Sequence, residues 1–267
     1  MEDAFQGLDQ QSLFEPVTKK TITLKNSKNI PNAISDGFNV AMSPRRGPVC
    51  INLPRNLLAE KNNYKINEKI KSFKNTNNTQ SNPTSIKRAA KLISNSSKGI
   101  IIVGGGIKYT SGFKPVIELA EYLNVPIVTA AGHGDAIPFN HKLNAGQMGP
   151  RGNPVATKLT KEADIILAIG TRLGFNSTFY SFENINKKAK IIQVELEKKM
   201  LGRYFPIKIG INADAATTAN QLLREFKKQK IKSEVKIWTE KFKNERSNYL
   251  FQRNNIPFKN HPIQPPG

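Results

Sequence analysis

Four short stretches carry residue types that could do chemistry: Gly104-Gly105-Gly106, Gly132-His133-Gly134-Asp135, Gly170-Thr171-Arg172-Leu173 and Glu195. A glycine triplet lets another group approach the backbone closely and can turn N–H donors toward a phosphate or a ribose. A tight strand-to-helix turn asks for the same residues. The triplet is not a dinucleotide fingerprint either, because Tyr109 stands where G-x-G-x-x-G needs its third glycine. His133 beside Asp135 offers an acid–base pair, yet two residues apart in a loop neither orients the other. Arg172 could clamp an anion with its planar fork or pair with a carboxylate. Glu195 suits ribose hydroxyls or a plain helix cap. His141 and His261 lie far from His133 in sequence, and no Cys/His spacing of a metal site is present. There is no nucleophile elbow, Walker loop or recognisably spaced pair of catalytic carboxylates. The residues by themselves declare no reaction.

Each of the four stretches closes an apolar run, and those runs are the elements that must position them. GIIIVGGG, VPIVTAAG, ADIILAIGTRLG, KAKIIQVEL and the shorter FPIKIGIN read as strands buried on both faces. They alternate with helices over SIKRAAKLISNS, opened by a Ser cap, GFKPVIELAEYLN and AATTANQLLREF. Apolar strands alternating with helices predict an α/β fold with a doubly wound parallel sheet over residues 85–228. Ligands of such sheets sit beyond the carboxyl ends of the strands, where all four stretches fall.

Before that region, NIPNAISDGFNVAMS has Ile30, Ile34, Phe38 and Met42 at helical spacing, and GPVCINLPRNLL sets a short strand between Gly47-Pro48 and Pro54-Arg55. The fence implies an abrupt stop that presents the residues just beyond the strand. Residues 61–84 are polar and read as a linker, and residues 229–267 are charged again, with one amphipathic helix around Trp238.

With 267 residues, 38% of them hydrophobic, the chain can bury a sizeable core. The single cysteine, Cys50, rules out an internal disulfide framework and, inside an apolar strand, reads as a buried thiol. MEDAFQGLDQ lacks the layout of a signal peptide and no apolar run reaches membrane-spanning length, so the expected compartment is the cytoplasm, without membrane partners. The net charge of +21 invites a nucleic-acid reading. The lysines, however, are scattered through Asn-rich surface sequence and not interleaved with aromatics, so no nucleic acid is expected.

The series AFQGLDQQSLFEPVTKK, SPRRGPVCINLPRNLL, GIIIVGGG, HGDAIPFNHKLNAGQMGPRGN, ADIILAIGTRLGFNSTF and AKIIQVELE resembles the thiamine-diphosphate-dependent enzymes of the acetolactate synthase type. It covers nearly the whole chain. The resemblance implies that residues 1–60 are the C-terminal part of a pyrimidine-binding α/β domain and 85–228 a Rossmann-like central domain. Residues 229–267 would connect to a diphosphate-binding domain. Phe5, Gln6 and Arg55 would line the substrate entrance. Arg45, Gly104, Gly105, Gly106, Arg151, Gly152, Arg172 and Glu195 would lie at the central nucleotide site. Acetolactate synthases carry an M-H-G-T loop that helps hold FAD where Pro150-Arg151-Gly152-Asn153 stands, so the site is expected to be empty or to take an adenine nucleotide, not FAD.

The INLPR ending, HGDAIP and GTRLGFNST are most similar to the sulfoacetaldehyde acetyltransferase branch. That implies a small anionic substrate and phosphate as partners, thiamine diphosphate and Mg²⁺ as cofactors, and a homodimer or homotetramer. The alternatives are an acetolactate-synthase-like condensation of 2-oxo acids and a non-catalytic nucleotide-binding module. The family's activating glutamate and its G-D-G…N motif find no match between Met1 and Gly267. The chain therefore reads as an interior fragment, with no catalytic residue of its own and inactive alone.

Overall fold

The computed structural model describes residues 7–43, 46–63, 80–110, 112–230 and 236–254, and it divides into two compact units, residues 1–77 and 78–267.

In the first unit, α1 (Gln10–Phe14) is followed by β1 (Lys20–Thr23), α2 (Ile30–Met42), β2 (Val49–Asn52) and α3 (Arg55–Leu58). β1 and β2 pair in parallel, from Lys20↔Val49 to Thr23↔Asn52. β1 is not foreseen from sequence, because KTIT is short and holds one strongly apolar residue. Pro54 caps α3 with φ −56° and ψ 137°, so the fence after β2 turns the strand directly into a helical turn. The stripe that marks α2 as a helix is not its buried face. Ile34 and Phe38 are exposed, whereas Ala33 and Gly37 are buried, and a Cβ on Gly37 would stand 2.8 Å from Ile51 Cδ1. Small residues bring this helix close to its strands. The core is correspondingly small: Leu24, Ala33 and Leu57, edged by Ile22, Ile30 and Ile51.

The second unit opens with α4 (Pro83–Ser94). Its cap is Asn82, which accepts from the Thr84 N–H, and not Ser85 as the sequence suggests. Order begins earlier still, since Ser81 is buried and its hydroxyl lies 2.8 Å from that of Thr218. Then come β3 (Gly99–Val103), α5 (Phe113–Leu123), β4 (Ile127–Thr129), β5 (Asn144–Gln147), α6 (Pro154–Glu162), β6 (Ile165–Ile169), α7 (Phe175–Thr178), β7 (Lys190–Val194), β8 (Ile209–Ile211), α8 (Ala215–Lys228) and α9 (Lys236–Asn254).

The strands form one parallel six-stranded sheet in the order β5-β4-β3-β6-β7-β8. All five residues of β3 and of β6 are buried, as two-sided coverage requires. α4, α5 and α8 pack on one another over one face, while α6 crosses back beside β5 and α9. The expected five strands become six. β5 reads NAGQ, has Gly146 at φ +93°, and sits at the sheet edge after a register shift at Ile127/Val128. It offers no apolar run to recognise.

The segment beyond 228 does more than connect. Trp238 and Phe242 of α9 join the main core, and the Trp238 indole N–H donates to Gly99 O at 3.1 Å, at the start of the central strand.

Candidate functional site

The strand order reverses between β3 and β6, so the chain winds from these parallel neighbours toward opposite edges of the sheet and their carboxyl ends bound a crevice. The glycine triplet lies there, and its main use is close packing. A Cβ on Gly104 would stand 2.7 Å from Gly170 O and from Thr171 Cβ; one on Gly106 would stand 2.6 Å from Gly170 Cα. The Gly104 N–H donates to Ile169 O at 3.2 Å and the Gly106 N–H to Gly170 O at 2.9 Å. Two of the three N–H groups are thus spent on the neighbouring strand turn and are not turned toward a phosphate.

Gly105 faces the other way. A Cβ there would meet the His133 ring, 2.8 Å from Cε1 and 3.2 Å from Nε2. His133 comes from the turn after β4. Its Nδ1 is buried and has no hydrogen-bond partner among the described residues; the Thr129 hydroxyl at the end of the same strand, 1% exposed, also lacks one. Burial, chiefly, and then Lys108 hold the imidazole below its ordinary value; Asp135 opposes this and Arg172 adds to it. The ring is therefore neutral at pH 7. Asp135 does not orient His133. Its carboxylate is instead engaged by the Lys108 ammonium, which lowers the Asp135 pKa. Lys108, three residues after Gly105, is the functional candidate that sequence reasoning missed; the only signal was a lysine inside the turn that follows β3.

Arg172 is exposed at the end of β6, and its charge acts on both His133 and Glu195. Glu195, at the end of β7, accepts the Leu196 N–H at 3.0 Å. Desolvation raises its pKa, against the lowering pull of the Glu197 and Leu196 N–H groups and of Arg172. Thr171 O is held by Gln193 Nε2 at 3.1 Å, and Gln193 Oε1 takes the Gly202 N–H at 2.8 Å, so the end of β6 is tied to β7 and to the turn at Gly202.

Gly104–Gly106, His133, Lys108, Arg172 and Glu195 thus share the carboxyl-end crevice. The 150–153 loop follows the carboxyl end of β5. Gly152 packs on the Gln147 and Met148 carbonyl groups, and the loop lines a groove with Pro154, Thr157, Lys158 and Lys161 of α6. Arg151 is exposed. The tight Gly149–Gly152 turn folds its loop back onto the end of β5. Arg55 is exposed at the start of α3 in the other unit. Phe5, Gln6 and Arg45 lie outside the described residues.

Residues 86–222, just over half of the chain, match the family described as the thiamine pyrophosphate enzyme, central domain. The chain belongs to that family. The match runs from α4 to α8 and takes in the whole six-stranded sheet, so the crevice lies within the matched region. The chain is similar to a probable acetolactate synthase large subunit of Methanocaldococcus jannaschii, with 30% identity over 98% of this chain and 44% of that protein. It is also similar to a probable sulfoacetaldehyde acetyltransferase of Rhizobium meliloti, 29% over 84% and 38%. A sulfoacetaldehyde acetyltransferase of Alcaligenes xylosoxydans xylosoxydans is 31% identical over 83% and 36%. The chain spans less than half the length of these relatives.

The description of the family names thiamine pyrophosphate as its cofactor. Among the described residues no group of three His, Cys, Asp or Glu side chains is set for a metal ion. No described helix is long and apolar enough to cross a membrane.

Proposed function

We propose that this chain works as the central part of a thiamine-diphosphate-dependent transferase that converts sulfoacetaldehyde and phosphate into acetyl phosphate and sulfite. The cofactor supplies the covalent chemistry and Mg²⁺ its metal; the chain itself contributes the scaffold and the anion-facing crevice, and by itself it is inactive. The observation that carries this reading is the HGDAIP stretch. It resembles the sulfoacetaldehyde acetyltransferase branch, and it puts His133 against Gly105 and Asp135 against Lys108. Two relatives of that name, 29% and 31% identical, support it. The enzyme would act in the cytoplasm as a homodimer or homotetramer. Arg55, with Phe5 and Gln6, would guard the substrate entrance, and the crevice, edged by Glu195, would take an adenine nucleotide and not FAD.

A second reading is an acetolactate-synthase-like condensation of 2-oxo acids. It is favoured by the relative of that name, which matches 98% of this chain at 30% identity. One assay separates the two: the complete gene product is supplied with thiamine diphosphate, Mg²⁺, phosphate and either sulfoacetaldehyde or pyruvate. Sulfite release with acetyl phosphate supports the first reading. Acetolactate from pyruvate without sulfite supports the second, and neither product overturns both.

A further inference from the structure

All three glycines of the turn after β3 are covered. Gly104 and Gly106 are closed off by the Gly170-Thr171 turn, and Gly105 lies under the His133 ring, whose atoms stand 2.8–3.4 Å from where its Cβ would be. A pyrophosphate lying along this turn would need that floor. Around the ring stand groups from three strand ends: His133 itself after β4, Lys108 after β3, which pairs with Asp135, and Arg172 after β6, whose charge acts on the ring. Two of the three are permanent cations. The third has a buried nitrogen with no partner among the described residues.

We infer that Lys108, His133 and Arg172 form a cup for one compact oxyanion, a phosphoryl group, and that the His133 ring is the stop that keeps an extended dinucleotide off the glycine turn. This rests on reading the crevice as a site for an adenine nucleotide or phosphate, and deepens it. The phosphoryl group is either inorganic phosphate or the terminal group of a mononucleotide, whose ribose would then lie toward Glu195.

The charges around His133 follow from this assignment. Without a ligand, the ring meets two cations and one carboxylate, and Asp135 is already engaged by Lys108. Burial disfavours the imidazolium first and the two cations add to it, so the ring stays neutral. An oxyanion reverses the balance: it competes with Asp135 for the Lys108 ammonium and favours the imidazolium, which can donate to it. Binding thereby takes up a proton on His133, and the site prefers its ligand below neutral pH.

The test uses the full chain and follows the histidine ring signals by NMR across pH, with and without inorganic phosphate, AMP, ADP or FAD. Saturating phosphate is expected to raise the His133 midpoint by about one pH unit, the lower end for a nearby opposite charge. His141, beside Glu121, serves as the internal control and should not move. Lys108→Gln and Arg172→Gln should each weaken phosphate at least ~10-fold, as loss of a hydrogen bond to a charged group does. His133→Gly should open the floor, so that FAD, silent with the wild type, gains measurable binding by flavin fluorescence; His133→Asn repeats the trial with a smaller change. Tighter binding of AMP or ADP than of phosphate assigns the cup to a nucleotide, and equal binding assigns it to free phosphate. A His133 midpoint indifferent to phosphate, unchanged affinity in both cation variants, or FAD bound by the wild type would overturn the inference. The two readings fail separately: the cup is read on this chain's histidine signals, and the transferase on sulfite release.

Discussion

Gly106→Ala probes how the crevice is built. The added methyl would stand 2.6 Å from Gly170 Cα and 3.0 Å from Gly170 O, both backbone atoms that no rotamer change can move. Relief requires the turns after β3 and β6 to separate, and that strains the Gly106 N–H bond to Gly170 O, now 2.9 Å. Overpacking of this kind costs about 1–3 kcal/mol and a weakened buried hydrogen bond about 1 kcal/mol, so the expected loss is roughly 2–4 kcal/mol. For a unit of this size that is a drop of roughly 4–16 °C in Tm. Gly134→Ala is the control, since a methyl there meets only Gln147 Oε1 at an ordinary 3.7 Å. Thermal melts followed by circular dichroism, with urea unfolding to confirm the free energies, make the comparison. Equal melting of the two variants would refute the close-approach account of the glycine triplet.

Three further outcomes are expected. Burial, with Lys108 and Arg172, holds folded His133 below 6.5, so as pH falls through that value the unfolded chain binds the proton first and stability is lost. His133→Gln should remove up to ~1.4 kcal/mol per pH unit of that slope, read from urea midpoints between pH 7 and 5; an unchanged slope contradicts the burial of the ring. Trp238→Phe leaves the Gly99 carbonyl without the indole N–H and should cost about 1–3 kcal/mol, measured by circular dichroism because the only tryptophan is gone. Arg55→Ala, at an exposed position, should shift stability by less than ~0.5 kcal/mol while raising KM for the anionic substrate in the complete enzyme, with Arg55→Lys recovering part. A lowered Tm with KM untouched would make Arg55 structural.

The sheet was legible because its strands are unbroken apolar runs, for which a two-sided burial is the only economical explanation. β5 was not, since NAGQ carries no such signal and is held at the edge by pairing with β4 alone. The crevice was legible as a place, because strand ends in a parallel sheet fix where ligands go. The role of its glycines was not, because close approach and phosphate binding ask for the same residue, and only the position of the Gly170 turn decides between them. In α2 the helical period was correct while the buried face was not, since Ala33 and Gly37 gain contact by being small. Lys108 carried no pattern at all. Its pairing with Asp135 comes from the spacing of β3 and β4, which no local spacing encodes.

The bond from Trp238 to Gly99 spans 139 residues of sequence. At a synthesis rate of about 5–20 residues per second, the central strand waits roughly 7–28 s for the indole that closes its lower end. Its neighbour β6 emerges sooner, yet Gly99 and the base of β3 stay open to water or to other chains throughout that interval. A ribosome pausing before codon 238 would therefore hold a nascent sheet with its most buried strand unsealed, and that interval is where a chaperone would be of most use to this chain.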